Sequence, residues 1–309
     1  MLDAVSLLSE LPADARFTCW RARDGWDHRR FDWRSEGARG RILIMGGRSD
    51  AVEKYLDVIG HLHGRGWSVT SFDWRGQGGS GRLGPAGVGH ADHFSAFATD
   101  LQAFWQAWRG EGEGPHVLLA HSMGAHFTLL AMADGLRPDA AVFSAPMVQV
   151  RSPMGQWLGG RFARWQSRRL GPTRAAWAIS DEARAVTRRL RRLTVDNSLG
   201  QDSRWWEADE TLRLGPPSWG WIAEAFRSGA TLLRDPRLAA VDVPTLWLVA
   251  DHDRLVDPRA ALRLAARIPH AKVIRFGRES AHEILREGMA VRGRAFAAID
   301  RFLDQKAPA

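Results

Sequence analysis

Ser122 stands in Ala120-His121-Ser122-Met123-Gly124, between an apolar run at 117–120 and a helix-like stretch at 124–132. A sharp strand-to-helix turn of this kind lifts a serine hydroxyl clear of the sheet, and small flanking residues let the turn close. A serine hydroxyl is a weak nucleophile by itself. It needs an adjacent base, and the base needs a carboxylate to orient it. In parallel-sheet enzymes built this way the chain order is serine, acid, histidine. Two downstream loops supply that order. Asp253 lies in Ala250-Asp251-His252-Asp253-Arg254-Leu255-Val256, after the apolar run 245–249. His282 lies in Gly277-Arg278-Glu279-Ser280-Ala281-His282-Glu283, after the run 272–276. Ligand sites of open α/β sheets sit in such loops, at the carboxyl ends of the strands. Ser122, Asp253 and His282 are therefore the expected catalytic triad. Asp251 and Asp257 are rival acids. His121 is a rival base, although neighbours at a tight elbow point apart.

Acyl transfer through a serine also needs N–H groups aimed at the developing oxyanion. One is expected from Met123, the residue after the nucleophile. The other is expected from Met45-Gly46-Gly47-Arg48-Ser49-Asp50, most directly from Arg48. This chemistry calls for no metal and no cofactor. Three other patterns carry less. Gly76-Gln77-Gly78-Gly79-Ser80-Gly81 fits a dinucleotide fingerprint, but Leu83-Gly84-Pro85-Ala86-Gly87 cannot start the helix that would face a pyrophosphate. His252 and Asp257 match a two-residue acyltransferase signature that overlaps the triad loop. His90 and His93 lack clustered carboxylates or cysteines and read as loop hydrogen-bonding residues. Asp73 and Arg75 read as braces beneath the site.

These groups need a frame. Residues 16–22 and 27–34 read as an antiparallel edge hairpin around Asp24-Gly25. Strands at 41–45, 67–72, 117–120, 141–143, 245–249 and 272–276 alternate with helices at 51–63, 92–109, 124–132, 258–267 and 290–304. That alternation implies a mostly parallel sheet covered on both faces. It stops near Pro146. From 148 to 235 the periodicity is helical only, at 155–169, 181–192 and 218–233, so this stretch reads as a helical cap inserted into the sheet domain. The expected organisation is a first core part at 1–147, a cap or lid at 148–235, and a second core part at 236–309.

Composition narrows the partners. The chain has 309 residues, 45% apolar and 25% charged, enough to bury a sizeable core. Its one cysteine, Cys19, excludes an internal disulfide. The N-terminal stretch lacks a basic region and its apolar positions are interrupted, so a cytoplasmic location is expected, with possible peripheral contact with membrane. The net charge is +8, and residues 151–195 hold eleven arginines against Asp181 and Glu182, which accounts for the whole excess. Such a patch suits an anionic membrane surface, or is simply a solvated arginine-rich face. No nucleic-acid-binding module accompanies it, so nucleic acid is not an expected partner. Trp157, Trp165, Trp177, Trp205, Trp206, Trp219 and Trp221 lie in the same cap. Taken singly, each is expected in the core of the cap; taken together, they could line an acyl chain while arginines meet a head group.

The chain resembles the monoacylglycerol-lipase and lysophospholipase branch of the α/β hydrolases, the serine aminopeptidase S33-like hydrolases, with bacterial lysophospholipases nearest. The matching stretches are Gly47-Arg48-Ser49 to Glu53-Lys54-Tyr55, Phe72-Asp73-Trp74-Arg75-Gly76-Gln77-Gly78, His90 to Leu101, His121-Ser122-Met123-Gly124, Pro216-Pro217-Ser218-Trp219-Gly220-Trp221, Asp253-Arg254-Leu255-Val256-Asp257 and Ala281-His282-Glu283-Ile284-Leu285. They run through nearly the whole chain. The resemblance implies an α/β-hydrolase fold and hydrolysis of single-acyl-chain glycerolipid esters, most directly a lysophospholipid. It also carries the triad onto Ser122, Asp253 and His282. Two positions depart from the family: Gly46 replaces the usual histidine, and Ala120 opens the elbow. Within enzymes, a monoacylglycerol lipase, general carboxylesterase, thioesterase or aminopeptidase are the rivals. From another class, the rival is a non-catalytic membrane-surface binding protein.

Overall fold

The computed structural model describes residues 11–85, 87–177, 193–196 and 209–309. Eight strands form one sheet in the order β1-β2-β4-β3-β5-β6-β7-β8. They are β1 Arg16–Arg21, β2 Asp27–Trp33, β3 Gly40–Met45, β4 Trp67–Phe72, β5 His116–His121, β6 Ala140–Ser144, β7 Thr245–Ala250 and β8 Ala271–Phe276. β1 and β2 are the antiparallel edge, and all pairings from β4 to β8 are parallel. The described helices are α1 Leu56–Gly64, α2 Phe94–Arg109, α3 Met123–Ala133, α4 Gly155–Leu170, α5 Trp219–Arg234, α6 Pro258–Ala265 and α7 Met289–Lys306. The helix expected at 51–63 opens instead as a 3₁₀ turn over Val52–Tyr55. The Asp73 carboxylate takes the Val52 N–H there at 3.0 Å and fixes the entry. The helix expected at 181–192 falls outside the described residues, as do Trp205 and Trp206.

Alternation along the strands divides the core in two. Ile42, Ile44, Val117, Leu119, Leu246 and Leu248 point to one face, where α1 and α7 cover them. Leu43, Met45, Leu118, Ala120 and Trp247 point to the other, under α2, α3 and α6. Successive strand residues alternate faces, and both faces are buried, so the strands read as continuous apolar runs. Between β6 and β7 the described chain adds no strand. It leaves the sheet after β6, an interior strand, and includes α4 and α5, which pack together where Gly159 and Gly160 meet Phe226.

His126 ties this excursion to the core. It is fully buried on α3, with Nδ1 2.8 Å from the Met147 carbonyl and Nε2 2.8 Å from Ser228 Oγ on α5. Burial lowers its pKa to about 4 from 6.5, so the ring is neutral in the folded state. The unfolded chain binds a proton below 6.5 that the fold refuses. The contribution of this group is thus complete above pH 6.5 and is lost as pH falls towards 4. We expect about 3 kcal/mol of stability to disappear across that window. Urea midpoints of wild type and His126→Gln at pH 7.5 and 4.5 check this: the variant should lose less stability on acidification.

Candidate active site

The elbow is a strained turn. Ser122 has φ 49° and ψ −114°, between the last residue of β5 and the first of α3. Few non-glycine residues hold positive φ, so neighbours must over-determine the conformation. They do so with backbone bonds: Ser122 N–H donates to Ser144 O at 3.0 Å, and Met147 N–H donates to Ser122 O at 3.0 Å. Gly124 permits the close approach of α3 to the end of β3. A Cβ there would stand 2.5 Å from Gly46 O and 2.6 Å from Met45 O. Ala120, the departure at the other flank, sits fully buried in β5 with the turn intact.

Two loops complete the constellation. His282 Nε2 lies 2.9 Å from Ser122 Oγ, and its Nδ1 lies 2.6 Å from Asp253 Oδ2. All three residues are buried. The short contact to Asp253 assigns the ring proton to Nδ1, which leaves Nε2 to accept from the serine hydroxyl. Asp253 is itself aimed: its Oδ1 accepts the N–H groups of Leu255 and Val256 at 2.8 and 3.0 Å. Burial by itself would depress the His282 pKa, but the charge and hydrogen bond of Asp253 outweigh it, and the net shift is upward. The rivals are occupied elsewhere. Asp251 pairs with Arg275 at 2.9 and 3.0 Å. Asp257 caps α6 through Arg259 N–H at 2.9 Å. His121 turns its Nδ1 to Ser144 O at 3.1 Å and its Nε2 towards Glu283 at 3.5 Å, away from Ser122 Oγ.

The loop after β3 presses on the nucleophile. A Cβ on Gly47 would meet Ser122 Cβ and His121 Cδ2 at 3.1 Å, so only glycine lets this backbone lie so near. Arg48 follows directly, and Met123 follows Ser122 as the first residue of α3. The Arg48 guanidinium donates to Gly215 O at 2.6 Å and stands 5.3 Å from the Trp221 ring. Gln77 braces the loop: it accepts from Ser49 N–H at 3.2 Å and donates to Gly47 O at 2.8 Å. The glycine-rich 76–81 turn is thus a strut, held at Gly79 by Asp73. Asp73 braces as expected, and Arg75 ties the same loop to buried Asp100 of α2 and to Asp24. His90 makes loop bonds as expected, to Ser218 Oγ at 2.8 Å and Asp92 at 3.0 Å.

Sequence reasoning gave no role to a buried charge network under the site. Lys54 Nζ lies 2.7 Å from Asp50 Oδ1 and 2.6 Å from Glu283 Oε1. Asp50 Oδ2 accepts from Tyr55 OH and from Gly47 N–H, each at 2.6 Å. One ammonium therefore joins the loop of Gly47 to the loop of His282. Burial would raise both carboxyls, but Lys54 holds Asp50 below and Glu283 well below the usual carboxylate range. The available signal was compositional: lysine occurs only three times among 43 basic residues. Lys54→Met leaves two buried carboxylates facing each other. It should destabilise the fold by about 3–5 kcal/mol, read as a shift in the urea midpoint at constant slope.

The sequence profile of serine aminopeptidase S33 matches residues 36–289, most of the chain. The chain belongs to this α/β-hydrolase family. Lysophospholipase L2 of Escherichia coli strain K12 is 30% identical to it over 237 residues. That match spans 71% of this chain but 66% of the relative, just under two thirds of its length. Solved structures share the fold. A soluble variant of monoglyceride lipase from Saccharomyces cerevisiae superposes with a TM-score of 0.74 at 18% identity, covering 96% of this chain and 97% of that one. Monoacylglycerol lipase from Paleococcus ferrophilus gives 0.70 at 17% identity, covering 90% and 98%.

Proposed function

We propose that the chain is a serine hydrolase of carboxylic esters that acts on single-acyl-chain glycerolipids, with a lysophospholipid as the best-fitting substrate. The observation that carries this reading is the buried relay from Ser122 Oγ to His282 at 2.9 Å and on to Asp253 at 2.6 Å. His282 takes the proton of Ser122 as its oxygen attacks the ester carbonyl. The N–H groups of Met123 and Arg48 hold the oxyanion, and Asp253 stabilises the imidazolium. His282 then protonates the leaving glycerol oxygen. Water attacks the acyl-enzyme by the same route and releases the fatty acid. Residues 148–235 act as the cap that selects the substrate, between core parts at 1–147 and 236–309. The named activities of the lysophospholipase and monoglyceride lipase relatives support the substrate class.

A panel of lysophosphatidylcholine, lysophosphatidylglycerol, monooleoylglycerol and p-nitrophenyl butyrate tests this. The lysophospholipids should show the highest kcat/KM, about tenfold or more above monooleoylglycerol. Turnover of the nitrophenyl ester alone would reduce the protein to a general esterase. No turnover of any ester and no labelling by a fluorophosphonate would leave the non-catalytic membrane-surface reading.

A further inference from the structure

Helix α4 is built inside out. Its inward side is Gly159, Gly160 and Ala163, all buried, and the two glycines lie against Phe226 of α5. Small residues there let the helices approach closely. The bulky apolar side chains point the other way: Trp157 is 70% exposed, Leu158 53%, Phe162 40% and Trp165 49%. At 3.6 residues per turn they share an outward arc of about 160° with Arg161, Arg164, Arg168 and Arg169. Met154, Leu170 and Trp177 are further exposed apolar residues in the same stretch of chain. Seven of the eleven exposed large hydrophobic residues among those described thus fall within 154–177. Surface helices of water-soluble proteins ordinarily turn this stripe inward, and a contiguous exposed patch marks a contact surface.

Charge selects the partner. Among the described residues no carboxylate pairs with the four arginines of the arc. Arg161 lies 5.0 Å over the Trp157 ring and Arg169 lies 5.3 Å over Trp165. These two cations are thus carried beside aromatic side chains. Tryptophan favours the boundary between water and acyl chains, and arginine favours anionic head groups. A second copy docking by the same patch would set four guanidinium groups against four others, which a two-fold contact cannot relieve. The patch also leads towards the nucleophile. Phe162 packs edge-on to Trp219 at 5.6 Å, and two residues on, Trp221 stands beside the Arg48 side chain of the loop that presses on Ser122.

We propose that the outward face of α4 docks on an anionic lipid bilayer, with Trp157, Leu158, Phe162 and Trp165 in the acyl boundary and Arg161, Arg164, Arg168 and Arg169 on lipid phosphates. This rests on the lipid-hydrolase reading for its purpose, but binding and hydrolysis are measured separately. The test is co-flotation of the full chain with phosphatidylcholine vesicles, with or without phosphatidylglycerol. Wild type should float with the anionic vesicles at least about tenfold better than with neutral ones, with a blue-shifted tryptophan emission, and should be released by salt. A variant with Arg161, Arg164, Arg168 and Arg169 all changed to Gln should lose that anionic preference. Trp157→Ser with Trp165→Ser should lose flotation. Both sets of changes face solvent, so p-nitrophenyl butyrate hydrolysis should stay within about twofold of wild type. Variants that float like wild type overturn the proposal, as does wild type that ignores anionic vesicles. A wild-type dimer that becomes monomeric on Trp157→Ser also overturns it, because the face then belongs to a second copy. Loss of ester turnover with flotation intact would sink the lipase reading and leave the docking face standing.

Discussion

Ser122→Ala should reduce ester turnover by at least about 10³-fold and as much as 10⁶-fold, with KM little changed and fluorophosphonate labelling abolished. The hydroxyl is the one group that becomes covalently bonded to the acyl carbon, so no neighbour substitutes for it. His121 is the nearest alternative in sequence, but its nitrogens face Ser144 O and Glu283. The fold should survive, since Ser122 is held by backbone bonds to Ser144 and Met147 that alanine keeps. Ser122→Gly sharpens the test. It is equally inactive, yet it relaxes the strain of φ 49° and should raise stability by about 1 kcal/mol. A protein that is more stable and dead would show that the turn conformation is retained at a cost because catalysis needs it. Residual hydrolysis near the wild-type rate in either variant would mean that another nucleophile works here.

Asp253→Asn should cost about 10⁴-fold in kcat and change the pH profile. The asparagine can still accept from Leu255 and Val256 N–H through one oxygen. That leaves its amide NH₂ facing His282 Nδ1. The imidazole must then carry its proton on Nε2, where it opposes Ser122 Oγ instead of accepting from it. In the wild type the active form has neutral His282, so kcat/KM should rise with pH through an inflection above the ordinary histidine value of 6.5. The upward shift comes from Asp253 outweighing burial. Without that carboxylate burial dominates, and the inflection should move to lower pH. A pH–rate profile of kcat/KM for both proteins reads this. An unchanged inflection would show that Asp253 does not set the charge of His282.

Most of the frame was legible along the chain because its determinants are local. Runs such as 41–45 and 245–249 are too short and too apolar for exposed helices, and glycine or aspartate closes each one. The observed strands Gly40–Met45 and Thr245–Ala250 differ by a residue at an end. The serine, acid and histidine were legible for a related reason: each follows a buried strand of a parallel sheet, so the pleat delivers all three to one rim. The choice of Asp253 over Asp251 and Asp257 agrees with the geometry because the other two are held by Arg275 and by the start of α6.

The expectation that each tryptophan of 148–235 sits in a core was met by Trp221 and contradicted by Trp157, Trp165 and Trp177, which are 70%, 49% and 58% exposed. Helical periodicity gives a stripe but not its sign. Whether the stripe faces in or out depends on what packs opposite, and for α4 the glycines claimed that side against Phe226. The Lys54 network was equally unreadable, because Lys54 and Glu283 are 229 residues apart and a buried ion pair leaves no local pattern. The sequence by itself thus determined the order of strands and helices and the three residues that could relay a proton. Only the tertiary structure decided which charges meet beneath them and which face of α4 is left to the surroundings, since both depend on contacts between segments that share no periodicity.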